Sequence, residues 1–318
     1  MSKPKIFVTR LLPEAALRRL EEVFTVDLHR ENSPVPRTRL LEAVQDAEAL
    51  LCLLTDAIDR EVLDAAPRLK CVSNYAVGYN NIDVDYATQR GIAVCNTPGV
   101  LTETTADLAW ALLMDCARRI AESDRFVRAG KFAGWEPLLL LGHDVFGKTL
   151  GIVGMGRIGQ AVACRAAGFN MRVLFYDPSA ALSTLPKDWE SVSLEELCQK
   201  SDFISVHAPL TPQTQHLIGA REFALMKPSA ILINTARGPI LDEAALVRAL
   251  RENRIAGAGL DVYEQEPQIP AELLALDNVV LLPHIGSASI ETRTKMGLLA
   301  AENAIAVIQG RTPPARVN

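Results

Sequence analysis

The run Gly154-Met155-Gly156-Arg157-Ile158-Gly159 spaces its glycines as G-x-G-x-x-G, directly after a β-rich segment and directly before a helical pattern. In that context the pattern suits a dinucleotide. Gly154 permits a tight turn, Gly156 lets a pyrophosphate approach the backbone, and Gly159 lets the helix pack closely on the strand. The free N–H groups of Arg157 and Ile158 at the helix start would then face the phosphates. Asp177 ends the next β-rich run, where a carboxylate accepts hydrogen bonds from ribose hydroxyls and repels a 2′-phosphate. The residues that follow are Pro178-Ser179-Ala180-Ala181, with no Lys or Arg to pair with such a phosphate. NAD(H) is therefore favoured over NADP(H).

Three more polar residues follow strand patterns further on. Arg237 comes after Ile231-Leu232-Ile233-Asn234-Thr235, Glu266 after Gly259-Leu260-Asp261-Val262-Tyr263, and His284 after Val279-Val280-Leu281-Leu282-Pro283. Open parallel sheets bind ligands at the carboxyl ends of their strands, so topology alone can bring these three side chains beside one nicotinamide. Each has an ordinary explanation when taken singly: a solvated arginine, an exposed acid beside Glu264, a hydrogen-bonded surface histidine. Their joint placement on successive strand ends points instead to one site.

The elements that must hold these residues alternate along the chain. Strand patterns at residues 6–9, 26–28, 49–54, 70–76 and 92–95 are separated by helical ones at 11–23, 38–44, 58–65 and 84–89. Short connections between them mean parallel strands with crossover helices. Residues 101–128 form the longest helical stretch, with Thr102 as its expected cap. Residues 130–147 are irregular, broken by glycines around Trp135 and the leucines 138–141. An apolar loop of that kind is more often an interface or a lid than a core. A second alternating set follows, with strands at 150–155, 172–176, 203–207, 230–234, 257–262 and 279–282, and helices at 158–167, 194–200, 221–226 and 243–251. An amphipathic helix at 291–309 ends the pattern. Six strands in one sheet predict a doubly wound Rossmann domain, making the chain α/β.

The 318 residues suggest two domains with substantial cores. A net charge of -5 argues against a surface that wraps nucleic acid. No run is long and apolar enough for a membrane span, and no secretory leader is visible, so a cytoplasmic protein is expected. The six cysteines form no C-x-x-C pair and are read as buried thiols of a reducing compartment; no metal site is expected.

The set Asn234-Thr235-Ala236-Arg237-Gly238, Asp261-Val262-Tyr263-Glu264-Gln265-Glu266-Pro267 and Pro283-His284-Ile285-Gly286-Ser287 resembles the D-isomer-specific 2-hydroxyacid dehydrogenase family. The runs Ser73-Asn74-Tyr75-Ala76-Val77-Gly78-Tyr79-Asn80-Asn81-Ile82-Asp83 and Asn96-Thr97-Pro98-Gly99-Val100-Leu101-Thr102 most resemble its glyoxylate/hydroxypyruvate reductase branch. The resemblance implies NAD(H)-dependent reduction of small 2-keto acids, with His284 as general acid or base and Glu266 as the carboxylate favouring its imidazolium. It makes Arg237 the anchor for carboxylate and keto oxygen, with the Val77 and Gly78 amides also holding the carboxylate. It further implies that His207, Ala208 and Pro209 pass the adenosine, that Thr214 reaches the phosphates, and that Thr235, Ala236, Arg237, Asp261, His284 and Gly286 line the nicotinamide pocket. Asp261 is expected to accept from the carboxamide, and His207 to have no proton-transfer role. Glu264 is the competing carboxylate, but the family motif puts the functional acid immediately before Pro267. His29, His143 and His216 receive no role.

The resemblance also implies a flavodoxin-like substrate domain made of residues 1–100 and 287–318. The Rossmann domain would span 101–286, with a dimerisation helix and arm over 101–147, and the assembly would be a homodimer. Oxidation of another D-2-hydroxyacid, of phosphite or of formate is the alternative chemistry; residues 126–130 with Trp135 resemble phosphite-oxidising relatives. An NAD-sensing corepressor is the alternative of another class.

Overall fold

The computed structural model describes residues 3–31, 33–180 and 182–318; Ala181, in the segment after Asp177, lies outside the described residues. The chain divides into two compact units, Met1–Leu101 with Ser287–Asn318, and Thr102–Gly286.

The first unit holds five parallel strands: β1 (Lys5–Val8), β2 (Thr25–Leu28), β3 (Ala49–Cys52), β4 (Cys71–Asn74) and β5 (Ala93–Cys95). Their spatial order is β2-β1-β3-β4-β5, the flavodoxin-like order. The central strands have no exposed face: Ala49, Leu50, Leu51 and Cys52 are fully buried, which is why residues 49–54 read as a continuous apolar run. Pro13 and Glu14 start the first helix, Glu14–Glu21, and that helix packs against the C-terminal helix Ile290–Ile308. A Cβ at Gly297 would lie 2.7 Å from the Ala16 Cβ, so only glycine allows the two helices this approach. The Ser73 hydroxyl donates to the Ala300 carbonyl at 2.8 Å, and the Tyr75 hydroxyl to the Arg293 carbonyl at 2.6 Å. The C-terminal helix is thereby sewn to β4 and the loop after it.

The second unit is built on β6 (Thr149–Val153), β7 (Arg172–Tyr176), β8 (Glu190–Ser191), β9 (Phe203–Val206), β10 (Ile231–Asn234), β11 (Gly257–Leu260) and β12 (Val279–Leu281). All pairings are parallel, in the order β12-β11-β10-β9-β6-β7-β8. This is a Rossmann sheet, with β6 and β9 flanking the point where the strand order reverses. It has seven strands where the pattern predicts six. The extra one, β8, spans only Glu190 and Ser191, both exposed at the sheet edge, and so carries no apolar signature.

The long helical stretch is two helices, Thr102–Arg118 and Ile120–Arg128. Arg119 between them has φ 55°, a left-handed conformation that ends the first helix. The Asp115 carboxylate accepts from the Ala121 amide at 2.7 Å, supplying the acceptor that starts the second. Residues 129–147 contain no helix or strand and expose Phe132, Trp135, Leu138, Leu141 and Phe146, with Trp135 at 84%. The expectation of six buried thiols needs amendment: Cys164 is exposed on the helix Arg157–Ala166, and Cys116 is half-buried. No helix among the described residues is long and apolar enough to cross a membrane.

Candidate active site

The glycine turn stands at the reversal point of the second sheet. A Cβ on Gly154, whose φ is 94°, would lie 2.4 Å from the Ala208 amide nitrogen, and one on Gly159 would lie 2.1 Å from the Gly154 carbonyl. At both positions the backbone fills the space a side chain would need. Gly156 is different: a Cβ there meets nothing within 4 Å, so its glycine leaves room for a ligand rather than for the protein. Gly156 caps the helix Arg157–Ala166 with no side-chain acceptor, so the first N–H groups of that helix, those of Arg157 and Ile158 among them, have no partner within it. The Asp177 carboxylate is fastened to this turn. One oxygen accepts from the Met155 amide at 2.8 Å, the other from the Ser179 amide at 2.8 Å.

After β9, the His207 amide donates to the Val153 carbonyl at 2.7 Å, and Ala208 packs on Gly154. The His207 ring lies 2.8 Å from the Ser205 hydroxyl, and burial pulls its pKa down to about 3, so the ring is neutral. Thr214 does not point a free hydroxyl at a phosphate: it donates to the Pro209 carbonyl at 2.6 Å and accepts from the Thr211 amide at 2.8 Å, closing its own loop. Thr235 is the reverse case, with a hydroxyl that is buried and has no partner. An orphaned hydroxyl at the end of β10, together with the open Gly156, fits a bound nicotinamide dinucleotide.

Arg237 sits in a turn shaped by Asn234, which the sequence patterns do not single out. Asn234 is fully buried; its carbonyl oxygen accepts from the Ala236 amide and its nitrogen donates to the Arg237 carbonyl, each at 3.0 Å. A Cβ on Gly238 would lie 1.9 Å from the Tyr263 carbonyl carbon, which presses the arginine turn against the loop carrying Glu266. Burial lowers the pKa of the half-buried Arg237 guanidinium, and the charge of Glu266 works against that shift.

The Glu266 carboxylate accepts from the Tyr263 amide at 3.1 Å through one oxygen and meets His284 Nδ1 at 2.7 Å through the other. Burial alone would raise its pKa. The hydrogen bond and charge of His284, the Tyr263 amide and Arg237 outweigh burial and hold the carboxyl below its usual range. Arginine, carboxylate and imidazole thus form one cluster. His284 Nε2 has no partner among the described residues, and 27% of the side chain is exposed. With Nδ1–H directed at Glu266, Nε2 is left to give or take a proton.

His284 has φ 56°, unusual for a residue with a side chain. Asp261 explains how it is held. Its carboxylate, fully buried at the end of β11, accepts from the Ile285 and Gly286 amides at 2.7 Å each. Expected to face a carboxamide, Asp261 instead has both oxygens engaged in fixing the histidine turn. A Cβ on Gly286 would lie 3.2 Å from one of those oxygens. Glu264 is separated from Glu266 by its own partner, His216, at 2.7 Å. The two histidine–glutamate pairs leave no ambiguity over which acid serves His284. A partner for Glu264 could have been sought in the sequence, but no spacing marks His216.

Val77 and Gly78 belong to the first unit, in the loop after β4, where both are half-buried and neither amide has an acceptor among the described residues.

The family model for the D-isomer specific 2-hydroxyacid dehydrogenase NAD-binding domain matches residues 110–286. The chain belongs to the D-isomer-specific 2-hydroxyacid dehydrogenase family. A glyoxylate reductase of Korarchaeum cryptofilum is 56% identical over 99% of this chain and 96% of its own. One of Thermococcus litoralis is 52% identical, over 99% and 97%. Among solved structures, a Thermus thermophilus protein superposes with TM-score 0.94 at 48% identity, covering 99% of this chain and all of its own. The Sinorhizobium meliloti NADPH-dependent glyoxylate/hydroxypyruvate reductase, in complex with NADP and malonate, gives TM-score 0.88 at 34% identity, with 99% and 97% covered. Within this family the second unit is the one that carries the nicotinamide cofactor.

Proposed function

We propose that this enzyme reduces glyoxylate and hydroxypyruvate to glycolate and D-glycerate with NADH. The observation carrying the reading is the 2.7 Å His284–Glu266 pair beside Arg237, with Nε2 of the imidazole free. The names of the close relatives support the substrate class.

NADH, when bound, supplies the hydride. The chain supplies the rest. Arg237 presents a planar fork of donors to the substrate carboxylate and keto oxygen. The imidazolium of His284 gives its Nε2 proton to that oxygen as negative charge develops there, and Glu266 steadies the positive ring until the proton leaves. In the reverse direction the neutral ring accepts the proton. The amides of Val77 and Gly78 are further donors for the substrate carboxylate. The deciding experiment is NADH oxidation against glyoxylate, hydroxypyruvate, pyruvate and bulkier 2-keto acids, with phosphite or formate plus NAD as the reverse arm. Glyoxylate and hydroxypyruvate are expected to give the highest kcat/KM. Turnover of phosphite or formate alone would overturn the substrate, and no turnover at all would favour an NAD-sensing protein.

NADH is proposed over NADPH because Asp177 puts a carboxylate at the turn and none of the four residues after it is basic. The Sinorhizobium relative is NADPH-dependent, so the preference has to be measured. Asp177→Ala is expected to raise NADPH efficiency relative to NADH by about tenfold, roughly the loss of one charge repulsion of ~1.4 kcal/mol. An unchanged ratio removes Asp177 from cofactor choice.

The apolar arm over 129–147 supports a homodimer, since it exposes large hydrophobic side chains with no core of their own. Trp135→Ala with Leu139→Ala is expected to shift sedimentation toward monomer and to alter the ratio of hydroxypyruvate to glyoxylate efficiency. If neither changes, the arm is not part of the assembly or of the partner's substrate site. The six free cysteines accord with a reducing, cytoplasmic setting.

A further inference from the structure

The loop after β4 is held by its carbonyls. The Ala76 carbonyl accepts from the Thr97 amide at 2.9 Å. The Val77 carbonyl accepts from Asn96 Nδ2 at 2.8 Å, and the Gly78 carbonyl from Asn74 Nδ2 at 2.8 Å. In a trans peptide the N–H of one residue points opposite to the carbonyl of the residue before it. Three anchored carbonyls therefore fix three peptide planes, and with them the directions of the Val77, Gly78 and Tyr79 amides. None of these amides has an acceptor among the described residues. Successive N–H groups fixed in direction and free of internal acceptors are available to bind an anion.

The asparagines are themselves immobilised. Asn74 is fully buried at the end of β4, where its Nδ2 also donates to Asn81 Oδ1 at 3.2 Å. Asn81 in turn donates to the Leu53 and Asp56 carbonyls at 3.1 and 3.0 Å. The Asn96 carbonyl accepts from the side chain of fully buried Asn303, on the C-terminal helix, at 2.9 Å. Asn303 also accepts from the Ala315 amide at 3.0 Å. Asn81 and Asn303, each engaged at both the oxygen and the nitrogen of its amide, have one orientation only, and they hold the Asn74 side chain and the Asn96 backbone in place.

We propose that Asn96 and Asn74 are positioning residues for substrate carboxylate: they do not touch it but aim the amides that do, with Tyr79 N–H as a third donor. This deepens the carboxylate role given above to Val77 and Gly78, and rests on it. Asn96 governs the Gly78 amide and Asn74 the Tyr79 amide.

The test compares Asn96→Asp and Asn74→Asp, near-isosteric changes that replace the Nδ2 donor with an oxygen facing a carbonyl. The measured quantities are the KM and kcat for glyoxylate, the Kd for NADH, and the calorimetric Kd of the NAD-loaded enzyme for oxalate as a carboxylate probe. The expected result is a rise of about tenfold or more in KM and in oxalate Kd, with kcat at saturation and NADH Kd within about threefold of the parent. Asn→Ala variants at both sites keep the result readable if an aspartate fails to fold. Gly78→Pro, which deletes one amide and leaves both asparagines, separates the two levels. If Gly78→Pro weakens oxalate binding and the folded asparagine variants do not, the positioning roles are wrong and the amide site stands. If Gly78→Pro, folded, binds oxalate as the parent does, the amide site itself fails. A uniform loss of kcat, NADH binding and Tm would make the asparagines merely structural and overturn the proposal.

Discussion

Replacing His284 with asparagine lowers kcat for keto-acid reduction by about 10²–10⁴-fold, the range a positioned general acid contributes, while NADH binding persists. Asparagine is the informative substitution because it tolerates the left-handed backbone that His284 adopts at φ 56°, so the Asp261-held turn survives. What disappears is the proton at Nε2. Glu266→Gln tests the partner separately. It keeps the shape of the pair but removes the negative charge facing Nδ1, so kcat for reduction is expected to fall while NADH binding persists. A kcat equal to the parent's would reject the role of the carboxylate. The same residue has a signature in stability. Its folded pKa lies below the usual carboxylate value, so the stabilisation it brings is fully present above about pH 4.3 and disappears as pH falls through the folded value. The Tm of Glu266→Gln should lack that acid-side loss.

Arg237→Ala is expected to lower kcat/KM by about 10²–10³-fold, or ~3–4 kcal/mol, because a buried substrate carboxylate would lose its bidentate charged partner. The Kd for NADH should stay within about threefold, since the glycine turn and Asp177 sit on other strands. Arg237→Lys should recover little of the loss: a lysine keeps the charge but cannot present two parallel donors. An unchanged efficiency with glyoxylate would remove Arg237 from the anchor role. The variant also removes one of the groups that hold Glu266 below its usual range, so the pH profile should move along with the efficiency.

The strands that carry chemistry were readable because each is a short, largely apolar run ended by glycine, proline or a polar residue; β6 into Gly154 and β12 into Pro283 are the plainest. The G-x-G-x-x-G turn was readable because each glycine answers a different steric demand. What stayed hidden was of two kinds. Edge strand β8 and the break at Arg119 rest on polar residues at positions where no periodicity exists to be broken. The holders of the site, Asn234 behind Arg237, Asp261 behind His284, and Asn74 and Asn96 behind the β4 loop, act through hydrogen bonds to carbonyls and amides. A single asparagine or aspartate at a strand end looks alike whether it closes a turn or faces a ligand. Only coordinates tell the two apart.

The C-terminal helix Ile290–Ile308 closes a sheet whose strands all lie before Leu101. On the ribosome, then, the first hundred residues emerge with one layer of their core missing. Making residues 102–289 takes on the order of ten to forty seconds at ~5–20 residues per second. Throughout that interval the faces of β3, β4 and the first helix that meet Ile290–Ile308 lack that cover. This enzyme should depend on chaperones during synthesis more than its finished stability suggests, and nonsense truncations before Ile290 should be cleared rather than accumulate as partly active protein.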